Sequence, residues 1–263
     1  MTTQTVKHRL SSSDLRHVVE SVPKDVRKLL KAHTLFLAGG FIRAVIAGEK
    51  VSDIDLLGPD AGKLLEVGYA LALSRAAKVH KTDNALTIIS PPRLPIQFIT
   101  RWTFDDPVTL IEQFDFTIVK ACIWWDKQAK QWCSARDAGF YRDLAARRLV
   151  YTHPKRHEDA GGSMLRVVKY LHRGYNIQAD SLAGVMSRMV GSMDVSGVEF
   201  VKADSKRFLP EQWSRTILLS LLRDVDPLKI VDSVEFVDDH AALDLEPGGD
   251  SVVQDGYEPE QGT

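Results

Sequence analysis

Apolar positions in the first part of the chain change period repeatedly, from the three-and-four spacing of helices to short strand-like runs. Ser13 and Asp14 read as a helix N-cap, and Pro23 opens a second helix reaching about His33. Leu35–Ala38 is a short apolar run that stops at Gly39-Gly40, the pattern of a buried strand entering a tight turn. Phe41–Ala47 has helical spacing closed by Gly48, Ser52–Leu57 reads as a second strand, and Ala61–Ala77 as a long helix. Lys78–Lys81, Ala85–Ser90 and Ile96–Thr100 are strand candidates, with turns at Thr82-Asp83-Asn84 and Pro91-Pro92. Pro107–Gln113 reads as a short helix. Phe116–Trp125 is largely apolar, so its periodicity fits helix and strand equally. From Gly162 onward the pattern is helical, over Met164–His172, Ser181–Val190, Pro210–Arg223 and Pro227–Asp232. A mixed α/β half therefore precedes a helical segment, with no internal repeat.

Composition changes this picture little, and charge changes it more. At 263 residues, 44% hydrophobic and 26% charged, the chain has the balance of a globular protein and the length to bury a core. No apolar run approaches the roughly 20 residues that span a bilayer, and the polar Met1–Leu10 lacks a signal-peptide core, so a soluble, cytoplasmic protein is expected. Cys122 and Cys133 have neither zinc nor redox-motif spacing. The net charge of −1 hides an asymmetry: nine acidic residues and no Lys or Arg lie after residue 233. The rest of the chain is moderately basic, which suits a protein that handles phosphates or nucleic acid, and the acidic end reads as disordered.

The chemistry concentrates at Gly39-Gly40-x-x-Arg43 followed by Asp53-x-Asp55. Two glycines after a strand let the backbone turn tightly and approach a ligand without Cβ obstruction. The helix that starts there presents unpaired N–H groups to phosphate, and Arg43 on its first turn is a candidate charged donor. Asp53 and Asp55 alternate on a strand, so both face one side about 7 Å apart, while Ile54 and Leu56 face a core. Two carboxylates on one face repel each other, and a divalent metal resolves that repulsion. Paired oxygen ligands beside a phosphate site are the arrangement of Mg²⁺-dependent phosphoryl or nucleotidyl transfer.

This opening motif resembles that of the polymerase β-like nucleotidyltransferases, closest to the class II tRNA nucleotidyltransferase (CCA-adding) and bacterial poly(A) polymerase family. Ile96–Arg101 resembles the family's third-strand segment, and Asp115-Phe-Thr-Ile118 the core of its ribose-recognition motif. Asp143-Leu144 with Arg147-Arg148-Leu149 resembles the stretch that closes the head domain, and Leu165-Arg166 through Lys169-Tyr170 the first neck helix. The resemblance implies an α/β nucleotidyltransferase head with a short mixed sheet at 21–150, after an N-terminal extension at 1–20. An all-helical neck and body at 151–233 and the acidic tail at 234–263 follow. Asp53 and Asp55 would be catalytic and hold Mg²⁺ in a two-metal site. Gly39, Gly40, Arg43, Asp115, Asp159, Arg166 and Lys169 would bind the NTP, and the acceptor would be an RNA 3′ end, by family that of a tRNA.

The departures from the family point to altered base selection. Gln97 stands where a third acidic residue is common, Ala44 where an Asp follows the helix Arg, and Gln113-Phe114 where two arginines precede Asp115. The base-reading Glu-Asp-x-x-Arg cluster aligns with Asp159 through Ser163, which keeps one carboxylate and loses the Arg. Two alternatives follow: transfer to a protein or small molecule in a toxin or defence setting, and a catalytically weakened RNA-binding derivative. His153 and His157 are poor metal ligands with Pro154 between them, and Trp124, Trp125 and Trp132 read as packing before base stacking. Lys155, Arg156, Arg166, Lys169 and Arg173 form a basic cluster that suits RNA phosphates or the triphosphate.

Overall fold

A computed structural model describes residues 8–152, 154, 160–196, 198–199, 201–203 and 206–223. The expected Pro227–Asp232 helix, the acidic end, His153, His157 and Asp159 lie outside the described residues.

The chain opens with α1 (Ser12–Ser21) and α2 (Lys24–Ala32), then β1 (Phe36–Ala38), α3 (Gly40–Ala47), β2 (Ile54–Leu57) and α4 (Ala61–Arg75). Strands β3 (Lys78–Lys81), β4 (Ala85–Ile89) and β5 (Ile96–Ile99) follow, then α5 (Pro107–Glu112) and a 3₁₀ turn at Thr117–Val119. Strands β6 (Ala121–Asp126) and β7 (Gln131–Arg136), helix α6 (Phe140–Ala145) and β8 (Arg148–Leu149) close the first part. The second part holds α7 (Ala160–His172), β9 (Asn176–Ile177), α8 (Ala179–Gly191), β10 (Val201–Ala203), β11 (Lys206–Phe208) and α9 (Glu211–Arg223).

Local chemistry accounts for the boundaries. Ser11 accepts a hydrogen bond from the Asp14 N–H and caps α1 two residues before Ser13, the expected cap. Asp60 caps α4 and Asp106 caps α5 in the same way, with Pro107 at the first position of α5. Gly48 ends α3 in the left-handed conformation, as expected of a C-cap glycine. Phe116–Trp125, which fits either period, is neither element throughout. Thr117 donates to the buried Asp143 carboxylate, the backbone makes a 3₁₀ turn, and only from Ala121 does the chain enter the sheet.

Seven strands form one mixed sheet in the order β3-β4-β5-β2-β1-β6-β7. Only β2 and β5 run parallel; the other neighbours are antiparallel. One face carries Leu37, Ile54, Leu56, Leu86, Ile96 and Phe98 into the main core, against α4, α3 and α1. The other carries Phe36, Ala38, Leu57, Cys122 and Ala135 into a smaller cluster under α5. Helix α1 packs on α3 and β7, and the Leu10 N–H donates to Ser134 Oγ, so α1 and the described residues before it are tied into the sheet. In the second part α8 and α9 both pack on α7, and the β10–β11 ribbon adds strand to a stretch whose pattern is helical. The two parts share a seam, the parallel pair of β8 with β9.

Candidate active site

Pairing between β1 and β2 assembles the candidate site at one end of the sheet. Asp55 lies opposite Ala38 on one side and Gln97 of β5 on the other, with Thr87 of β4 beyond. Asp53 precedes β2 by one residue, on the face Asp55 shares, and its carboxylate accepts from Ser52 Oγ at 2.8 Å. Both aspartates are half-buried, while Ile54 and Leu56 are fully buried in the main core. Gly39 follows Ala38 directly, so the glycine turn and the two carboxylates share one end of adjacent strands.

The turn needs its glycine. Gly39 has φ +79° and ψ −132°, a region that side chains disfavour, and a Cβ there would meet the Phe114 ring at 3.5 Å. Its N–H is already spent on the Ala121 carbonyl at 3.0 Å. A Cβ on Gly40, the first residue of α3, would meet nothing within 4 Å. The approach to the helix terminus is therefore open at Gly40.

The donor set suits a hard cation. Beside the two carboxylates stands Gln97, 4% exposed, whose Oε1 is buried without a hydrogen-bond partner. Two carboxylates and an amide oxygen are all-oxygen ligands of the kind Mg²⁺ takes. Among the described residues no group of three or more His, Cys, Asp or Glu side chains gathers as a metal cluster.

Other residues expected at the site are brought together, but against each other. Arg43 is 2% exposed: its guanidinium lies 4.9 Å from the centre of the Tyr170 ring on α7 and its Nη2 3.4 Å from Glu49. Tyr175 donates to Glu49 at 2.7 Å, and burial, with that hydrogen bond, pushes the phenol up so that it stays a donor. Asp115 is equally buried. Its Oδ2 accepts from Arg166 Nε at 2.7 Å and from Ser163 Oγ at 3.0 Å. Ser163, where the resemblance would set a base-reading Arg, is fully buried and also accepts from Arg188 Nη1 at 3.1 Å. Lys169 is half-buried, one turn after Arg166 on α7.

Sequence reasoning missed Glu49, Tyr175 and Arg188: none sits in a motif, and Tyr175 and Arg188 join their clusters from distant segments. Lys120 escaped it too. The side chain is 7% exposed next to Ala121, the anchor of the Gly39 N–H, and burial pushes its amine down against the opposing pull of Asp137, Glu112 and Asp115.

This sheet, with its glycine turn and paired aspartates, has the fold of a nucleotidyltransferase head. A Thermotoga maritima CCA-adding enzyme complexed with tRNA superposes with a TM-score of 0.50 at 20% identity, over 70% of this chain and 46% of that one. A CCA-adding enzyme in complex with ATP gives 0.50 at 19% identity and the same coverage. The chain thus spans less than half the length of these enzymes. It belongs to the Gad2 family, the Gabija anti-defense 2 proteins, whose model matches residues 9–159. No curated protein matches the sequence. No helix among the described residues is long and apolar enough to cross a membrane.

Proposed function

We propose that this protein is a Mg²⁺-dependent nucleotidyltransferase that moves a nucleoside monophosphate from an NTP to an acceptor, in the service of counteracting the Gabija defence. One observation carries the reading. Asp55 on β2 and Asp53 just before it share one face beside the positive-φ turn at Gly39, with the unpartnered Gln97 oxygen in register with Asp55. Asp53, Asp55 and Gln97 would hold the cation, whose chemistry is to polarise the α-phosphate toward attack with pyrophosphate leaving.

The chain's own residues supply the rest. Since the Gly39 N–H is spent on Ala121, the β,γ-phosphates would meet the N–H groups of Gly40 and Phe41, at the positive end of α3. Arg43 would act from behind, seating α3 against α7 through Tyr170. Asp115 and Arg166 would brace the wall where the nucleoside lies. Base selection would rest on that wall instead of an exposed Arg, because Ser163 stands in the Arg position and is buried. Ordered addition of C, C and A is therefore not expected.

The family description favours an acceptor within the defence system over the maturation of tRNA. The test is to incubate the protein with each α-labelled NTP and Mg²⁺, separately with Gabija proteins, with tRNA lacking its 3′ end and with total RNA. Label on a Gabija component, lost in Asp53→Asn and Asp55→Asn, is the expected result. Label on no acceptor, with those variants indistinguishable from wild type in NTP binding, would overturn it. Gln97 in place of a third carboxylate favours one second reading, an RNA-binding derivative with weakened catalysis, and RNA binding without label would select it.

A further inference from the structure

The end of the sheet opposite Gly39 carries a second constellation that the proposed reaction does not use. A cavity of about 230 Å³ opens there, between the start of β1 and the end of β6, lined by Thr34, Phe36, Trp124, Trp125, Asp126 and Lys127. Trp124 and Trp125 are half-buried and, being consecutive on β6, face opposite sides of the sheet, Trp124 edge-on to Phe36 and Trp125 edge-on to Trp132 on the side of α2. Lys31 Nζ stands 4.4 Å from the centre of the Trp125 ring, at the last turn of α2.

Helix α2 leads a positive stripe to this cavity. Lys24, Lys28 and Lys31 are exposed at a spacing of four and three residues, which places them on one face. At 1.5 Å per residue they step along the axis by about 6 and 4.5 Å, comparable to the phosphate spacing of a single strand. The one acidic residue of α2, Asp25, is engaged by Arg75 at 2.8 Å and by Arg93 at 3.8 Å, so it does not cancel the stripe. Lys127 at the cavity rim donates one N–H to the Ala32 carbonyl, which leaves two for a ligand. Burial, with the charges of Lys63 and Lys127 and against that of Glu66, pushes the His33 imidazole down.

We propose that this face binds single-stranded nucleic acid, with one base in the cavity beside Trp125 and the flanking phosphates on Lys24, Lys28, Lys31 and Lys127. Aromatic surface beside a cationic track is the general means of holding single strands without reading sequence. A free nucleotide offers the same base and phosphate chemistry, but only a strand engages the whole stripe. The inference is independent of the nucleotidyltransferase reading, since binding needs neither NTP nor Mg²⁺.

The test is fluorescence anisotropy with labelled oligouridylate and oligothymidylate about 12 nucleotides long, over a salt series without Mg²⁺. The part of the intrinsic tryptophan quenching that disappears in Trp125→Leu reads the cavity. Each lysine–phosphate contact contributes about 0.7 to the slope of log affinity against log salt, so changing Lys24, Lys28 and Lys31 together to Ala should flatten that slope by about 2. Trp125→Leu, which keeps the site apolar, should weaken binding about tenfold, a loss of ~1.4 kcal/mol. Asp55→Asn should bind the strand as wild type does, and UMP alone should compete weakly. Unchanged slope and affinity in the triple lysine variant would overturn the proposal, whether or not Trp125→Leu folds. So would absence of binding at low salt, or displacement of the strand by NTP with Mg²⁺.

Discussion

Gly39 and Gly40 are neighbours in one motif, yet the structure gives them opposite sensitivities, and a pair of alanine substitutions separates fold from function. Gly39→Ala forces an L side chain to φ +79°, ψ −132°, where strain is on the order of 1–3 kcal/mol. The new Cβ meets Phe114 at 3.5 Å, an ordinary contact, so backbone strain is the whole cost. Against it stands the reduced entropy of the unfolded chain, about 0.4–1 kcal/mol in favour of Ala. The net loss is about 1–2 kcal/mol, which lowers the thermal midpoint by roughly 2–8 °C in a domain of this size. Gly40→Ala meets no neighbour and needs no positive φ, so only the favourable entropy remains and the midpoint should hold or rise. That same methyl, however, stands where the proposed triphosphate approaches the α3 terminus, so transfer should fall although stability does not. Thermal unfolding followed by circular dichroism, alongside NTP binding by calorimetry, reads both quantities. Equal midpoints for the two variants would refute the argument from backbone geometry; full NTP affinity in Gly40→Ala would refute the phosphate cradle.

Asp55→Asn should abolish transfer while leaving the melting curve unchanged or slightly raised, because it removes a metal ligand and relieves repulsion with Asp53; transfer and melting assays check it together. Gly68→Ala on α4 puts a Cβ 2.7 Å from Leu86 and 3.1 Å from Phe98, both fully buried. Overpacking of about 1–3 kcal/mol exceeds the helix preference for Ala of about 1 kcal/mol, so urea unfolding should show a net loss of roughly 1 kcal/mol. Burial pushes the fully buried Asp143 carboxyl up, but hydrogen bonds from Arg142, Arg148 and Thr117 outweigh it and hold the group below its ordinary 3.8. A lowered folded value means stability that is present above pH ~4 and lost as pH falls through that value. The stability gap between wild type and Asp143→Asn should therefore close in acid, as denaturant titrations from neutral pH to about pH 2 would show.

The elements around the candidate site were readable because they obey local rules. A glycine pair ending an apolar run, a C-cap glycine at position 48 and alternating carboxylates each leave a signature within a few residues. The β6–β7 hairpin left none. Its first strand follows the 3₁₀ turn in a largely apolar stretch with no turn residue between them, and its tight connection has Lys130 at φ +50° where a Gly or Asn would have marked it. Arg43 illustrates a different limit. Its place on the first turn of α3 was legible, but the direction of its side chain depends on Tyr170 and Glu49, the first of which lies more than a hundred residues away. Ser163 was legible only as a missing arginine; its hydrogen bonds to Asp115 and from Arg188 come from tertiary packing.

The seam between the two parts sets an order on the birth of the molecule at the ribosome. Asp115 belongs to the sheet half, but the hydroxyl and guanidinium that satisfy its buried carboxylate come from Ser163 and Arg166. Likewise β8 has its strand partner at residues 176–177, and the Tyr151 N–H has its acceptor in Ser181. While these residues are still inside the exit tunnel, the emerged chain holds an uncompensated carboxylate at Asp115 and leaves β8 without its strand partner. Completion of the sheet half is thereby deferred until the helical half has been translated, and a nascent chain arrested before residue 181 leaves the ribosome with these groups still unpartnered.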